Sequence, residues 1–459
     1  MTQQTQLAII GGGIAGLSAG WYAQQHNIDY TLLEKSARFG GLIHSEYHDD
    51  LTIEFGPDAV ITRKPHAKQL AEAIGLGDEI IAVNDTPERI YILSDGDLVP
   101  MPDGVRLLVP TDLMAWLQSP LLTWEGRKRA LDDLIIPPKD DDKDESLAAF
   151  VKRRMGAEVL DKLADPLLAG VYNAEMDKQS ILATFPQYRA LEKAHGSLIK
   201  GMAHARQSAP PSDNSPALIS FRQGLQQFID TLRDRLSGDL HLNTGVSAIV
   251  KGADGGYTLT LSDGETLHAQ QIIAATPANI TAHLLADVAP HAAQTLNQIR
   301  YAGVGNLSLA YRPADVPRPL DAYGVVIPNS EGRNIDGMQW SSAKWINRAP
   351  DDKVLLRVFF GGPHTRAMLD HDDAELERLV RADMRDILGI TAEPLFCTLR
   401  RWHKGYPQYD VGHLDRVRAI ESALPADIAV AGNAYQGVGV PDTIKTAIHA
   451  IEKLAKESA

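Results

Sequence analysis

Leu7-Ala8-Ile9-Ile10-Gly11-Gly12-Gly13-Ile14-Ala15-Gly16-Leu17-Ser18-Ala19-Gly20 is the stretch that decides the fold. Four apolar residues read as a short buried strand, and the GxGxxG spacing of Gly11, Gly13 and Gly16 turns that strand into an Ala-rich helix. Gly11 permits the tight turn, Gly13 lets the backbone approach a pyrophosphate without a Cβ, and Gly16 lets helix and sheet pack closely. The first helical residues, Ile14 and Ala15, present free N–H groups to phosphates. The next strand, Tyr30-Thr31-Leu32-Leu33, ends in Glu34 and Lys35. A carboxylate at that spacing accepts hydrogen bonds from ribose hydroxyls and repels a 2′-phosphate, which predicts FAD or NAD rather than NADP. The alternative for the glycines alone is a tight strand-to-helix turn with no ligand.

Arg38-Phe39-Gly40-Gly41 follows at once, and its glycine pair permits a second close backbone approach while Arg38 offers donors to a pyrophosphate or flavin. Glu54 and the Gly56-Pro57 turn come next. Near the other end, Ile428-Ala429-Val430-Ala431 reads as a strand leading to Gly432-Asn433 and Gly437-Val438-Gly439, then to a helix opened by Val440-Pro441-Asp442. The positive end of such a helix would stabilise negative charge on a reduced flavin near N1. These two glycine-rich loops favour FAD over NAD; a plain helix start is the alternative.

At 459 residues the chain predicts two or three domains. Its 45 basic and 59 acidic side chains leave a formal charge of −14, which argues against nucleic acid as a partner. One cysteine, Cys397, excludes an internal disulfide framework, and no metal site is expected. With no secretory segment in view, cytoplasm is the expected compartment. The most lipid-like stretch, 107–124, is interrupted by Pro110, Asp112, Gln118 and Pro120, so it cannot span a bilayer as one helix. Leu113, Met114, Trp116, Leu117, Leu121, Leu122 and Trp124 can lie on a membrane surface, line a pocket or pack in a core, and core packing is favoured. Pro137-Pro138 and the charge run 139–145 read as a solvated connector, with Ser146 as a helix cap. Helical spacing follows over 145–205, and a Ser/Pro-rich link at 208–216 places a boundary near 217. A β-meander is predicted over 242–250, 257–261 and 266–273, with turns at Asp254-Gly255-Gly256 and Asp263-Gly264. Further strands are predicted at 305–311 and 353–360, and a helix at 373–388.

The combination of the first glycine turn, Glu34 to Gly41, Ala275-Thr276-Pro277 and the Gly432 loop resembles the flavin-containing amine oxidase and protoporphyrinogen oxidase superfamily over nearly the whole chain. Several stretches are similar to the porphyrinogen oxidases within it. They are Phe55-Gly56-Pro57-Asp58 with Arg63-Lys64-Pro65, Asp165-Pro166-Leu167-Leu168-Ala169-Gly170-Val171-Tyr172, Ala183-Thr184-Phe185-Pro186 with His195-Gly196-Ser197-Leu198, Arg401-Trp402 with Pro407-Gln408-Tyr409, and Ala431-Gly432-Asn433-Ala434-Tyr435.

The resemblance implies an α/β class, α+β overall. It places a Rossmann-like FAD-binding domain on the discontinuous segments 1–60, 217–281 and 395–459, a mixed-sheet substrate domain on 61–88, 170–216 and 282–394, and a helical, membrane-facing or core-packed subdomain on 89–169. It implies noncovalent FAD held by Gly11, Gly13, Ile14, Ala15, Gly16, Glu34, Lys35, Arg38, Gly40, Gly41, Gly56, Pro57, Val246, Trp402, Gly432, Asn433, Gly437, Val438 and Gly439. It also implies a porphyrinogen substrate dehydrogenated by six electrons in three rounds, with hydride equivalents passing to flavin N5 and oxygen reduced to hydrogen peroxide. No catalytic base is assigned, because pyrrole N–H protons can leave through water or a carbonyl. Gly170 and Tyr172 fall where the family faces its substrate, or are a helix-end glycine and a core tyrosine. Arg63, Lys64 and Lys344 are propionate partners or solvated surface charges. Similarity to the soluble bacterial branch favours coproporphyrinogen III, with its four propionates, over protoporphyrinogen IX, with product passed to a ferrochelatase. An amine oxidase-like flavoenzyme and a non-catalytic porphyrin carrier are the rival readings.

Overall fold

The computed structural model describes residues 3–457 apart from 88, 107, 209–215 and 254. Most of the proposed link at 208–216, together with Leu107 and Asp254, therefore lies outside the described residues. The described chain is mixed α/β, built around two large sheets.

In the first sheet, Gln3–Ile10 runs parallel to Tyr30–Leu33 on one side and to Thr266–Ala274 on the other. Asp239–His241 extends the sheet beyond Tyr30–Leu33, also parallel. Thr266–Ala274 changes partner along its length: its first half pairs antiparallel with Tyr257–Leu261, while Ile272, Ile273 and Ala274 pair parallel with Ile428, Ala429 and Val430. Val246–Lys251 closes the expected meander as its edge strand. Five parallel strands thus come from chain segments hundreds of residues apart. Parallel strands buried on both faces need continuous apolar runs, and Leu7, Ala8, Ile9, Leu32 and Ile273 are fully buried. The helix Ile14–Gln25 is apolar on nearly every side because one face meets the sheet and the other meets the helices Leu225–Asp234 and Val440–Glu457.

The second sheet has the order Phe396–Pro407, Tyr301–Tyr311, Val354–Phe360, Gly337–Trp340, Gly324–Val326, Tyr91–Ser94 and Asp97–Pro100. Two strands from the range assigned to the helical subdomain, Tyr91–Ser94 and Asp97–Pro100, thus lie at one edge of this sheet. The strand Phe396–Pro407, within the range assigned to the FAD domain, forms the other edge. Leu218–Phe221 likewise joins Val60–Ile61 and Ile80–Ala82 in a three-stranded sheet that crosses the expected boundary.

A helical region covers 113–208. Ser146 caps the helix Leu147–Arg154 by accepting from Ala149 N at 3.2 Å. Trp116, Leu121 and Leu122 are buried there, whereas Leu113, Met114 and Trp124 are exposed, so the apolar stretch divides between core and surface. The charge run is more than a solvated connector. Glu145 pairs with Arg153 at 2.8 Å, Asp142 with Lys193 at 2.8 Å, and Asp144 accepts from Gly412 N at 3.0 Å. Basic side chains on the helices Leu147–Arg154 and Pro186–His195 draw the run onto the fold. Leu160–Ala169 takes the wider π turn, with Pro166 inside it. None of the helices among the described residues is long and apolar enough to cross a membrane.

Candidate active site

Four segments meet at the carboxyl edge of the parallel sheet, where open α/β sheets form their ligand crevices. Gly11 N donates to Leu33 O at 2.8 Å, Ala275 N to Ile10 O at 2.8 Å, and Ala431 N to Ala274 O at 3.1 Å, so the ends of four strands lie in register. Glu34 leaves this edge with its carboxylate fixed. One oxygen accepts from Gly12 N at 2.6 Å, and the other from Ser36 N and Ser36 Oγ at 2.8 and 2.7 Å. The 242–246 turn docks on the same residues through Thr244 N to Glu34 O and Asn243 N to Ser36 O, which brings Gly245 and its neighbour Val246 beside exposed Lys35.

The glycines divide into two kinds. A Cβ on Gly16 would stand 1.8 Å from Gly11 O, and one on Gly56 would stand 1.7 Å from Leu42 O, so these positions serve close packing of backbone on backbone. A Cβ on Gly13 would meet nothing nearer than Gly41 Cα at 3.8 Å, and one on Gly432 would meet nothing within 4 Å. A Cβ on Gly13 would thus make no more than an ordinary contact and Gly432 faces open space, which forms a cradle that side chains would fill and that suits a dinucleotide's phosphates beside the N–H groups of Ile14 and Ala15.

Arg38 holds the second glycine pair in shape, donating to Phe39 O, Gly41 O and Ile43 O. Gly40 N bonds Gly12 O at 2.8 Å and so joins the two glycine turns. Gly56-Pro57 is fixed from the other sheet: Trp402 Nε1 and Asn306 Nδ2 donate to Phe55 O at 2.8 and 3.0 Å, and Arg357 donates to Gly56 O at 2.7 Å. Arg400, which the sequence reading passed over, lies over Phe55 and Trp402 at 5.8 and 4.8 Å from their ring centroids. It has no carboxylate partner among the described residues. Burial, with Arg38 and Arg400 adding to it, lowers the nearby His44 to about 4. Glu34 and Glu46 act on Arg38, which leaves Arg400, among the described residues, as the uncompensated cation of this region, one that an anionic group would balance.

The C-terminal loop runs from Gly432, φ +136°, to Gly437, φ +137°, both backbone conformations that favour glycine. Gly432 N donates to Thr446 Oγ1 at 2.9 Å, while half-buried Asn433, Val438 and Gly439 complete the loop before the helix that starts at Val440. Asp442 sits in that helix's first turn and accepts from Lys64 Nζ through both carboxylate oxygens at 2.6 Å. Lys64 is therefore a partnered cation, a pairing that nothing near it in the sequence signals. Val438 packs against the helical core that contains Tyr172 and Tyr409, so this loop reaches both halves of the site.

Gly170 begins the helical turn Gly170–Tyr172 that follows the π segment. Tyr172 is buried, packs its ring against those of Phe185 and Tyr409, and donates to Thr184 O at 3.4 Å. Burial raises its pKa, the Asp442 charge adds to the rise and the Arg63 charge opposes it. Arg63 is exposed and has no ion-pair partner among the described residues, yet its charge also acts on buried Tyr188. Lys344 is neither a surface charge nor a free propionate partner. It is buried, 2.8 Å from Asp58 and 3.0 Å from Gln339 Oε1. Burial alone would raise the Asp58 carboxyl, but Lys344 and Arg357 outweigh it and hold that carboxyl well below the usual range.

The family model for flavin-containing amine oxidoreductases matches residues 14–453. The chain is 32% identical to a coproporphyrinogen III oxidase of Bacillus subtilis (strain 168), over 95% of each sequence. It is 35% identical to a coproporphyrinogen III oxidase of Propionibacterium freudenreichii subsp. freudenreichii, over 98% of this chain and 90% of that one. A crystal structure from Exiguobacterium sp. 255-15, described provisionally as a protoporphyrinogen oxidase, superposes with a TM-score of 0.88 at 32% identity and covers all of both chains. The chain belongs to the flavin-containing amine oxidoreductase family.

Proposed function

We propose that the chain binds FAD noncovalently and oxidises coproporphyrinogen III to coproporphyrin III, with three molecules of oxygen reduced to three of hydrogen peroxide. The observation that carries this reading is the contact made by Tyr409, whose ring packs on Tyr172 and whose hydroxyl bonds Asn433 and Gly437, so that the Gly170–Tyr172 turn adjoins the C-terminal glycine loop. Full-length similarity to two bacterial coproporphyrinogen III oxidases supplies the substrate class. Glu34 would take the ribose hydroxyls, Gly13, Ile14, Ala15 and Arg38 the pyrophosphate, and Gly56, Pro57, Trp402 and the Gly432–Gly439 loop the ring system. Bound FAD would supply the acceptor for an electron pair in each of three rounds. The protein's own contribution is positional: it holds a meso carbon near the acceptor, excludes bulk water and anchors the propionates.

Arg63 has no ion-pair partner among the described residues and would be open to a propionate, whereas Lys64 and Lys344 are occupied by Asp442 and Asp58. Cys397 lies in the strand opposite Leu309, and burial pushes its thiol up to about 12, which speaks against a covalent flavin link through it. On this reading the parallel sheet with its meander serves as the FAD domain, the second sheet as the substrate domain and 113–208 as the helical subdomain. Action in the cytoplasm, with peripheral membrane contact through Met114 and Trp124 and product hand-off to a ferrochelatase, is part of the same proposal.

Oxidation of protoporphyrinogen IX is the second reading, and the Exiguobacterium structure's description favours it. Anaerobic mixing with coproporphyrinogen III tests the proposal. Flavin absorbance should bleach and return on admission of air, with porphyrin formed. Binding without bleaching would make the protein a carrier, and bleaching by amines alone would make it an amine oxidase.

A further inference from the structure

Gln408 and Tyr409 follow the last strand of the second sheet and sit between the C-terminal loop and the Gly170–Tyr172 turn. Gln408 is 4% exposed. Its backbone N–H donates to Arg300 O at 2.8 Å, and its side-chain Nε2 lies 3.3 Å from the carbonyl oxygens of Tyr172, Asn173 and Tyr406. Tyr409 is 1% exposed, and its hydroxyl donates to Asn433 O and accepts from Gly437 N, each at 2.7 Å. One oxygen therefore ties both ends of a loop whose glycine at 437 holds a backbone conformation closed to most residues. His413 backs the tyrosine, with rings 3.9 Å apart and 13° from parallel. Its Nε2 is 3.1 Å from Tyr435 O, and because a carbonyl only accepts, Nε2 carries the proton. Tyr409 O in turn accepts from Ser180 N at 2.8 Å, which fixes the bracket to the helical region.

We propose that Gln408 and Tyr409, backed by His413, are positioning residues that set the separation between the cofactor loop and the substrate segment. Tyr409 acts on the cofactor side and Gln408 on the substrate side. The inference rests on the FAD and porphyrinogen reading given above. It accounts for the Pro407-Gln408-Tyr409 motif by its contacts to the backbone of the glycine loop and of the Tyr172 turn.

The test compares Tyr409→Phe, Gln408→Met and wild type in FAD titration, flavin absorption spectrum, apoprotein melting and steady-state turnover of coproporphyrinogen III. Removing the hydroxyl should weaken FAD about tenfold, shift the flavin absorption envelope and lower kcat with KM little changed. Gln408→Met should raise KM about tenfold and leave FAD affinity and spectrum as in wild type. His413→Asn gives a milder Tyr409-like change and replaces Tyr409→Phe if that variant does not fold. The proposal is overturned if the variants alter only melting temperature, or if both change FAD affinity and KM in the same proportion. Wild-type protein that takes up no FAD, or does not turn over the porphyrinogen, overturns the underlying function first and this inference with it.

Discussion

Gly13 and Gly16 look alike in a motif, yet the space around them differs: a Cβ would be 3.8 Å from its nearest neighbour at one and 1.8 Å at the other. Gly13→Ala should therefore leave apoprotein melting near wild type while weakening FAD at least about tenfold, read by flavin titration beside calorimetry, because the methyl occupies the phosphate cradle. Equal loss of both would place Gly13 in the packing instead. Arg63 and Lys344 form a second contrast. Arg63→Ala should raise KM for the porphyrinogen about tenfold, as expected for a charge-assisted contact, with little change in stability. Lys344→Met should instead cost about 3 kcal/mol of stability in a urea melt, because it removes the ion pair of the buried Asp58 carboxylate and leaves only the Trp345 Nε1–H donor and the charge of Arg357 to compensate it. The packing tasks of Gly11 and Gly16 and the place of Glu34 at the strand end were legible from spacing alone, since strand, turn and helix are local. The partners of Lys344 and Lys64 were not, because they lie 286 and 378 residues away along the chain. Arg400 was missed for the same reason: nothing beside it in sequence marks it as facing Arg38.

Elements with local periodicity matched expectation closely. The meander strands Tyr257–Leu261 and Thr266–Ala274 and the helix Asp373–Leu388 lie within a residue of their predicted ranges, because alternation and a 3.6-residue repeat both report a single buried face. Elements set by distant partners did not. Tyr91–Ser94 and Asp97–Pro100 form a hairpin that joins the second sheet only through Tyr91 and Ile92, paired with distant Val325 and Val326, and the π turn at Leu160–Ala169 accommodates Pro166 inside a helical stretch, where an ordinary α turn would clash with it. The helix His413–Ala423 carries a testable pH effect. Burial lowers His413 from its ordinary 6.5 to about 4, with Arg416 adding and the Tyr435 carbonyl opposing. Between those values the unfolded chain binds more protons than the folded one, so stability falls as pH drops from 6.5 toward 4 and has no slope from this group above 6.5. The span is on the order of 3 kcal/mol. Urea melts of wild type and His413→Gln across that window should differ in slope, and parallel curves would contradict the assignment.

At the scale of the whole molecule, the site exists only because segments from both ends of the chain and from its middle share one sheet edge. The parallel order 239–241, 30–33, 3–10, 266–274 and 428–430 brings Glu34, Gly11, Ala275 and Gly432 together, and the second sheet reaches across through Trp402, Asn306 and Arg357. A formal charge of −14 would repel the tetra-anionic substrate proposed above at long range, so on that proposal recognition falls to local cations, Arg63 foremost. With Cys397 in the second sheet, acid or heat denaturation should release the flavin into the supernatant; flavin that stays with the precipitated chain would contradict noncovalent binding. The most direct measurement is steady-state oxidation of coproporphyrinogen III and protoporphyrinogen IX by the FAD-loaded protein, with peroxide counted. The account predicts three peroxides per porphyrin and a higher kcat/KM for coproporphyrinogen III; a much higher kcat/KM for protoporphyrinogen IX, or porphyrin formed without peroxide, would contradict it.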